Sequence, residues 1–429
     1  MTSLLRADTA LEPRVRGLGK SPTMAIQERS EELTQAGRQI FRLGLGQSPF
    51  PVPLEVVETL REHATRKEYM PVRGLPALRD AVAEYHRRRH GTGCSGDDVL
   101  VGPGSKELMF LLQVVFSGEL LVATPAWVSY APQARILGRQ VHFLHTLAAK
   151  GWRLAPEQLE SICRGDPARP RILVLNYPNN PTGGTYSAAE LEQLAAVARR
   201  YSVVLLSDEI YGELHHEGMH VSVERFYPEG TIVSSGLSKW CGAGGWRLGT
   251  FAFPRSLRWL LEAMEAVASE TYTSTSAPIQ CAAVRAFQGG LGIERYLSNA
   301  RRILRTLATS ITGSLDAIGA EVERAAGGFY LFPSFAPLAE ALRERQIRTS
   351  EALCERALEE TGVAMLPGSA FGRAPEELVV RISYVDFDGA QAMAAAESIP
   401  ADREIDGGFI EKYCGRTVTA IRRLCDWLA

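Results

Sequence analysis

The sequence lacks the features that mark a disulfide scaffold, a zinc protein, a membrane protein or a nucleic-acid binder. Its seven cysteines, at positions 94, 163, 241, 281, 354, 414 and 425, make no Cys-x-x-Cys pair. That scatter argues against a zinc site and a disulfide framework and suits a reducing cytoplasm, with no metal expected. The N-terminal stretch carries Pro13 and the basic residues Arg6, Arg14, Arg16, Lys20, Arg29 and Arg38 but no apolar run of signal-peptide length, and no later segment approaches a membrane span. Charge of one sign is missing as well: 47 Lys and Arg stand against 49 Asp and Glu, a formal net charge of -2. Nothing in that balance draws the chain to nucleic acid or an anionic membrane, so a small-molecule partner is expected. Internal repeats and low-complexity tracts are also absent.

What is present is apolar mass. With 429 residues, 45% of them hydrophobic, the chain can bury one large core and a second, smaller one. Residues 1–20 read as a mobile extension. Apolar positions among Glu, Gln and Arg over 24–37 suit a short amphipathic helix closed by Gly37, followed by an irregular Gly/Pro segment at 44–53. From residue 54 onward, helical patterns alternate with short apolar runs at 99–101, 119–123, 171–175, 203–206, 231–233 and 250–253. Such runs predict buried strands of a mostly parallel sheet with helices on both faces. A long helical pattern covers 294–318. Beyond it, strand-like 328–333, a helix over 350–361 and strand-like 378–384 suggest a smaller α+β unit. Ile410, Tyr413, Val418, Ile421, Leu424 and Leu428 then fall at helical spacings and should pack on that unit. The expected division is an extension at 1–20, a small-domain segment at 21–53, a large domain at 54–310 and a small domain at 311–429.

Four segments carry chemistry. Ser207-Asp208-Glu209-Ile210-Tyr211 follows the run 203–206, so Asp208 stands at the carboxyl end of a buried strand, where open α/β sheets bind ligands. The carboxylate there either caps a turn or pairs with a protonated ring nitrogen. Gly236-Leu237-Ser238-Lys239 follows the run 231–233 and leads into Gly242, Gly244, Gly245, Arg247 and Gly249. A lysine held at a strand end among small residues is either a solvated charge or a desolvated amine that attacks an aldehyde. Arg247, eight residues on, offers a planar fork for a phosphate. Asn176-Tyr177-Pro178-Asn179-Asn180-Pro181-Thr182-Gly183-Gly184 is a rigid turn, and Asn180 within it can donate to a phenolate. Gly102-Pro103-Gly104-Ser105-Lys106 opens a helical pattern, either as a plain N-cap or as a phosphate-binding helix start.

In this order the segments closely resemble the class I/II aminotransferases, that is, pyridoxal 5'-phosphate (PLP) enzymes of fold type I in the aspartate aminotransferase superfamily. The strings that carry the resemblance are Gly236-Leu237-Ser238-Lys239 through Arg247-Leu248-Gly249, Asn180-Pro181-Thr182-Gly183 and Asp208-Glu209-Ile210-Tyr211, and it spans about 21–384. It implies an α/β fold with a mostly parallel seven-stranded sheet flanked by helices, and a smaller α+β domain. It also implies transfer of the amino group of an α-amino acid to a 2-oxo acid through a Schiff base on Lys239. Lys239, Asp208 and Tyr211 would be catalytic. The cofactor would be held by Gly104, Ser105, Lys106, Trp127, Asn180, Asp208, Tyr211, Ser238, Lys239 and Arg247, with Trp127 stacked on the ring and Tyr69 reaching the phosphate of a neighbouring subunit. A homodimer with shared sites follows from that last role. Substrate would meet Arg381, Asn180 and Gly46, with Arg381 gripping the α-carboxylate.

Two departures bear on detail. Many members carry a hydroxyl residue three positions before the lysine; here Gly236 stands there, and Ser235 is the residue to supply the missing hydrogen bond. No arginine lies between Arg258 and Arg285 to select dicarboxylates, which leaves Glu270 and Tyr272 near that region. Elimination, replacement, cyclisation and oxidation of amino acids on the same scaffold form the alternative, since fold does not fix reaction. A DNA-binding regulator is disfavoured, because only about 20 residues precede the resemblance, too few for a helix-turn-helix domain.

Overall fold

The structure is a computed structural model that describes residues 10–429. Seven strands make its central sheet: β1 (Val99–Gly102), β2 (Glu119–Thr124), β3 (Val141–His145), β4 (Arg171–Asn176), β5 (Val204–Asp208), β6 (Thr231–Gly236) and β7 (Gly249–Ala252). The spatial order is β1-β7-β6-β5-β4-β2-β3. All pairings are parallel except those of β7, which runs antiparallel to both β1 and β6. Every residue of β1, β4, β5, β6 and β7 is buried. Covered on both faces, these strands need no alternation, so they read in sequence as continuous runs. Alternate residues nonetheless enter different cores: Ile172, Val174, Val204 and Leu206 point into one, and Leu173, Leu175 and Leu205 into another.

The edge strand β3 has no counterpart among the expected runs. Its sequence Val-His-Phe-Leu-His is interrupted by two histidines, and only Leu144 is fully buried. A half-exposed edge tolerates that polarity, which hides the strand from an apolar-run reading.

A 27-residue helix, Leu291–Ala317, passes through position 310 and leads into the smaller layer. There Val380–Ser383 is the middle strand of three, flanked antiparallel by Leu366–Pro367 and Tyr330–Leu331. Phe41–Arg42 pairs in parallel with Val363–Ala364, which ties the early chain to this layer. The tail forms two helices rather than one, Gly407–Tyr413 and Gly415–Leu428, divided at Cys414-Gly415. Ile410, Ile421, Leu424 and Leu428 are buried in the core shared with Leu291–Ala317. Within the span expected to be an extension, Pro13–Val15 forms one 3-10 turn, and residues before 10 lie outside the described ones. Among the described residues no helix is long and apolar enough to cross a membrane, and the seven cysteines are unpaired and buried.

Candidate active site

Adjacent parallel strands bring distant motifs to one edge of the sheet. Asn176 ends β4 and Asp208 ends β5, directly paired in register, while β6 delivers Gly236 and the turn to Lys239. The Asn176 side chain fastens this corner. Its Nδ2 donates to the Asp208 carbonyl at 2.9 Å, and its Oδ1 accepts from the Asn180 backbone N–H at 2.8 Å.

Above these strand ends lies a cavity of about 390 Å³. Ser105, Lys106, Trp127, Asn180, Asp208, Tyr211, Ser238, Lys239, Arg247 and Arg381 line it, and Gly46 and Tyr330 close it from the smaller layer. One cavity thus brings together side chains from segments as far apart as Gly46 and Arg381. Tyr69 is not on this wall and is 89% exposed. Gly104 sits just behind the wall as the N-cap of helix Ser105–Val115, at φ 92°. A side chain at Gly104 would strike the Arg247 guanidinium, and one at Gly249 would strike the Ser105 backbone nitrogen. Both glycines let the helix start, the arginine and the sheet edge meet closely.

Lys239 is half-buried, and its Nζ donates to the Gly46 carbonyl at 2.7 Å, beside the Tyr211 and Phe329 rings. Burial, reinforced by the positive charge of Arg381, pulls this amine down to about 7 from its ordinary value near 10.5, against the opposing pull of Asp208. Only an unprotonated amine reacts with electrophiles, so in the cofactor-free protein the labelling rate of Lys239 should reach half its limit near pH 7. Site-resolved mass spectrometry after pulses of an amine-reactive reagent measures this; a midpoint above about pH 9, close to that of an ordinary lysine, would contradict the environment described.

Asp208 is 3% exposed. Its Oδ2 accepts a 2.6 Å hydrogen bond from the Tyr130 hydroxyl, while its Oδ1 is buried without a partner among the described residues. Burial pushes this carboxyl up to about 6, opposed by the bond from Tyr130 and by the nearby Ile210 backbone N–H. Tyr211 meets Tyr330, hydroxyl to hydroxyl, at 2.8 Å. Arg381 is 1% exposed, lies over the Tyr330 and Phe371 rings at 4.8 and 5.1 Å, and donates to Asn180 Oδ1 at 3.0 Å and to the Gly44 carbonyl. Gly46 leaves room for Tyr330, since an added β-carbon would collide with the Tyr330 hydroxyl and ring.

This architecture is matched in known proteins. The family model described as "Aminotransferase class I and II" matches residues 38–399. The chain belongs to the class I and II aminotransferases. It is thus an enzyme that moves an amino group from an amino acid to a 2-oxo acid. It is 32% identical over 379 residues to the aspartate/prephenate aminotransferase of Thermus thermophilus, covering 87% of this chain and 94% of that one. The aspartate aminotransferase of Geobacillus stearothermophilus is 33% identical over 386 residues with the same coverage. Among solved structures, the Thermus thermophilus aspartate aminotransferase with maleate superposes with a TM-score of 0.81 at 31% identity, covering 91% of this chain and 98% of that one. The Rhizobium meliloti aspartate aminotransferase gives 0.82 at 27% identity, with 97% and 98% covered.

The two departures noted in the sequence resolve differently. A β-carbon at Gly236 would lie 2.7 Å from the Leu248 carbonyl oxygen, so the sheet itself excludes a hydroxyl residue there. Ser235 does not compensate in this aminotransferase: strand alternation turns it to the opposite face, into a crevice with His86, His90 and His220. Glu270 and Tyr272 do not line the cavity either; Tyr272 instead donates to the Val101 carbonyl at 3.2 Å. Sequence reasoning missed Tyr130 and Tyr330. The available signals were an aromatic three residues after Trp127 and an aromatic inside the strand-like stretch 328–333.

Proposed function

We propose that this aminotransferase is PLP-dependent, works as a homodimer, and takes a dicarboxylic amino acid such as aspartate as donor. The observation that carries the cofactor is the chemical complementarity of the cavity. A buried carboxylate oxygen, Asp208 Oδ1, lacks a donor, and a lysine pulled to about 7 stands on the same wall. Ser105 at a helix start, Ser238 and Arg247 supply donors for a phosphate, with Gly104 clearing the space between. These residues fit PLP at both ends. When bound, PLP supplies an aldehyde that condenses with amines and a protonated ring that takes up carbanion charge.

The remaining chemistry belongs to the chain. Asp208 would hold the proton on the ring nitrogen, Asn180 and Tyr211 would donate to the phenolate oxygen, and Trp127 would cover the ring face. Arg381 grips the substrate α-carboxylate, which orients the α-hydrogen towards Lys239. Lys239 Nζ then takes up and returns the proton at the substrate α-carbon. Tyr69, exposed and off its own cavity, would serve the partner's phosphate in this reading. The unpaired cysteines support a reducing cytoplasm.

Lys106 supports the dicarboxylate reading. It follows Ser105 on the helix but turns away from it, and its Nζ lies 5.0 Å from the Trp127 ring centroid. Burial and the neighbouring Arg247 charge lower its pKa, and among the described residues no carboxylate pairs with it. An acidic substrate would meet Arg381 with one carboxylate and Lys106 with the other. Relatives named for aspartate, and a similar structure holding the dicarboxylate maleate, agree with this.

The test loads the protein with PLP and adds L-aspartate without a 2-oxo acid. Loss of the visible cofactor band with one equivalent of oxaloacetate released is expected; no visible band after PLP is supplied would end the cofactor reading. Lys106→Ala should then lower kcat/KM for aspartate by about 10- to 150-fold while sparing donors with uncharged side chains, as loss of a hydrogen bond to a charged group predicts. Equal losses for both donor types would return Lys106 to the cofactor-binding role expected from sequence.

A further inference from the structure

We propose that Tyr130 is a positioning residue for Asp208: its hydroxyl holds the carboxylate in one orientation and in its anionic form, leaving Oδ1 as a fixed acceptor facing the cavity. As far as it concerns a ring nitrogen, this rests on the PLP reading above.

The geometry carries the inference. Tyr130 opens helix Tyr130–Ile136, which follows β2, so its position is set by an element independent of β5. It is 3% exposed, and its ring meets Trp127 edge-on at 5.2 Å and 81°. One phenol thus touches both the side chain expected to cover the ring face and the side chain expected to hold the ring nitrogen. The 2.6 Å contact to Oδ2 is short, as expected for O–H donating to an ionised carboxylate. A buried carboxylate with no such donor takes up a proton at much higher pH. It would then compete with the ring nitrogen for the proton that makes the ring an electron sink.

The other groups around Asp208 cannot replace this hydroxyl. Lys239 is a positive neighbour that loses its charge near pH 7, and Glu209 is a negative neighbour that raises the proton affinity of Asp208. The nearby Ile210 backbone N–H also favours the anion, whereas Asn176 bonds only the Asp208 backbone carbonyl. Tyr211 stays neutral, held well above its ordinary range by burial, and bonds Tyr330.

The experiment compares wild type, Tyr130→Phe and Asp208→Asn. Phenylalanine keeps the ring against Trp127 and removes only the hydroxyl, and circular dichroism checks that each variant folds. In the cofactor-free full chain, the Asp208 carboxyl stretch, assigned by its loss in Asp208→Asn, is followed by infrared titration. Loss of a donor to the anion should raise its midpoint by about one to two pH units in Tyr130→Phe. An unchanged midpoint would overturn the proposal. With 15N-labelled PLP bound at pH 7, the ring-nitrogen resonance should move from the pyridinium value towards the neutral value in Tyr130→Phe. In Asp208→Asn it should move fully. A raised midpoint with an identical resonance in all three proteins would leave Tyr130 holding Asp208 but overturn the reading that Asp208 faces the cofactor. In steady state, Tyr130→Phe should lower kcat about tenfold or more with KM for the donor changed by less than about twofold, since the lost interaction acts on the transition state.

Discussion

Replacing Lys239 with alanine is expected to lower turnover by about 10⁴-fold or more, because the change removes the proton carrier and the nucleophile together. The environment argues for this magnitude. An amine pulled to about 7 is half neutral at the pH of the cell, so it can take a proton from carbon in one step and return it in the next. Its hydrogen bond to the Gly46 carbonyl holds Nζ inside the cavity rather than in solvent. Among the described residues on that wall, Lys106 lies against Trp127 and Tyr211 is held neutral by burial, so neither duplicates it. Borohydride treatment of the loaded wild type should fix the cofactor mass on the peptide containing Lys239, and the alanine variant should carry none. Turnover within about tenfold of wild type in Lys239→Ala would overturn the role, because base catalysis alone is worth more than that.

Arg381→Ala should reduce kcat/KM for the amino donor by about 30- to 5,000-fold, corresponding to about 2–5 kcal/mol for truncating one partner of a buried charge pair. The arginine is among the largest fully buried side chains of the protein, and its guanidinium is oriented by the Tyr330 and Phe371 rings and by bonds to Asn180 and the Gly44 carbonyl. A planar fork held in this way presents parallel N–H donors to a carboxylate, which an ammonium cannot do. Arg381→Lys should therefore recover only a small part of the loss. Steady-state kinetics should show the effect chiefly in KM, with the bound-cofactor spectrum unchanged; an unaltered KM would remove Arg381 from the carboxylate role. The asparagine and glycine carbonyls left without their donor also predict a lower melting temperature for the alanine variant.

How legible these features were in the sequence varied with their physical origin. The buried strands β1, β2, β4, β5, β6 and β7 were visible because double-sided burial imposes continuous apolar runs. The strand β3 was not, because it is half-exposed and only Leu144 in it is buried, whereas the other edge strand, β1, is buried throughout. The tail was visible as helical spacing, but its break at Cys414-Gly415 was not, since apolar positions on both sides keep a helical phase. Ser235 and Glu270 show the limit of reading by proximity along the chain: Ser235 turns to another face of the sheet, and Glu270 does not line the cavity.

The sequence by itself determined the sheet's buried strands and the motif strings, and through their resemblance to a known family it determined the fold class and the side chains expected at one cavity. Lysine, aspartate, asparagine and arginine each stood at a strand end or turn whose local pattern is written in neighbouring residues. Only the tertiary structure decided which atoms meet: that Tyr130 bonds Asp208, that Tyr330 bonds Tyr211 and excludes a side chain at Gly46, and that Lys106 lies on Trp127 without a carboxylate partner. Those contacts join residues 78 and 119 positions apart. They depend on strand register and on how the smaller layer seats against the sheet, which no local pattern encodes.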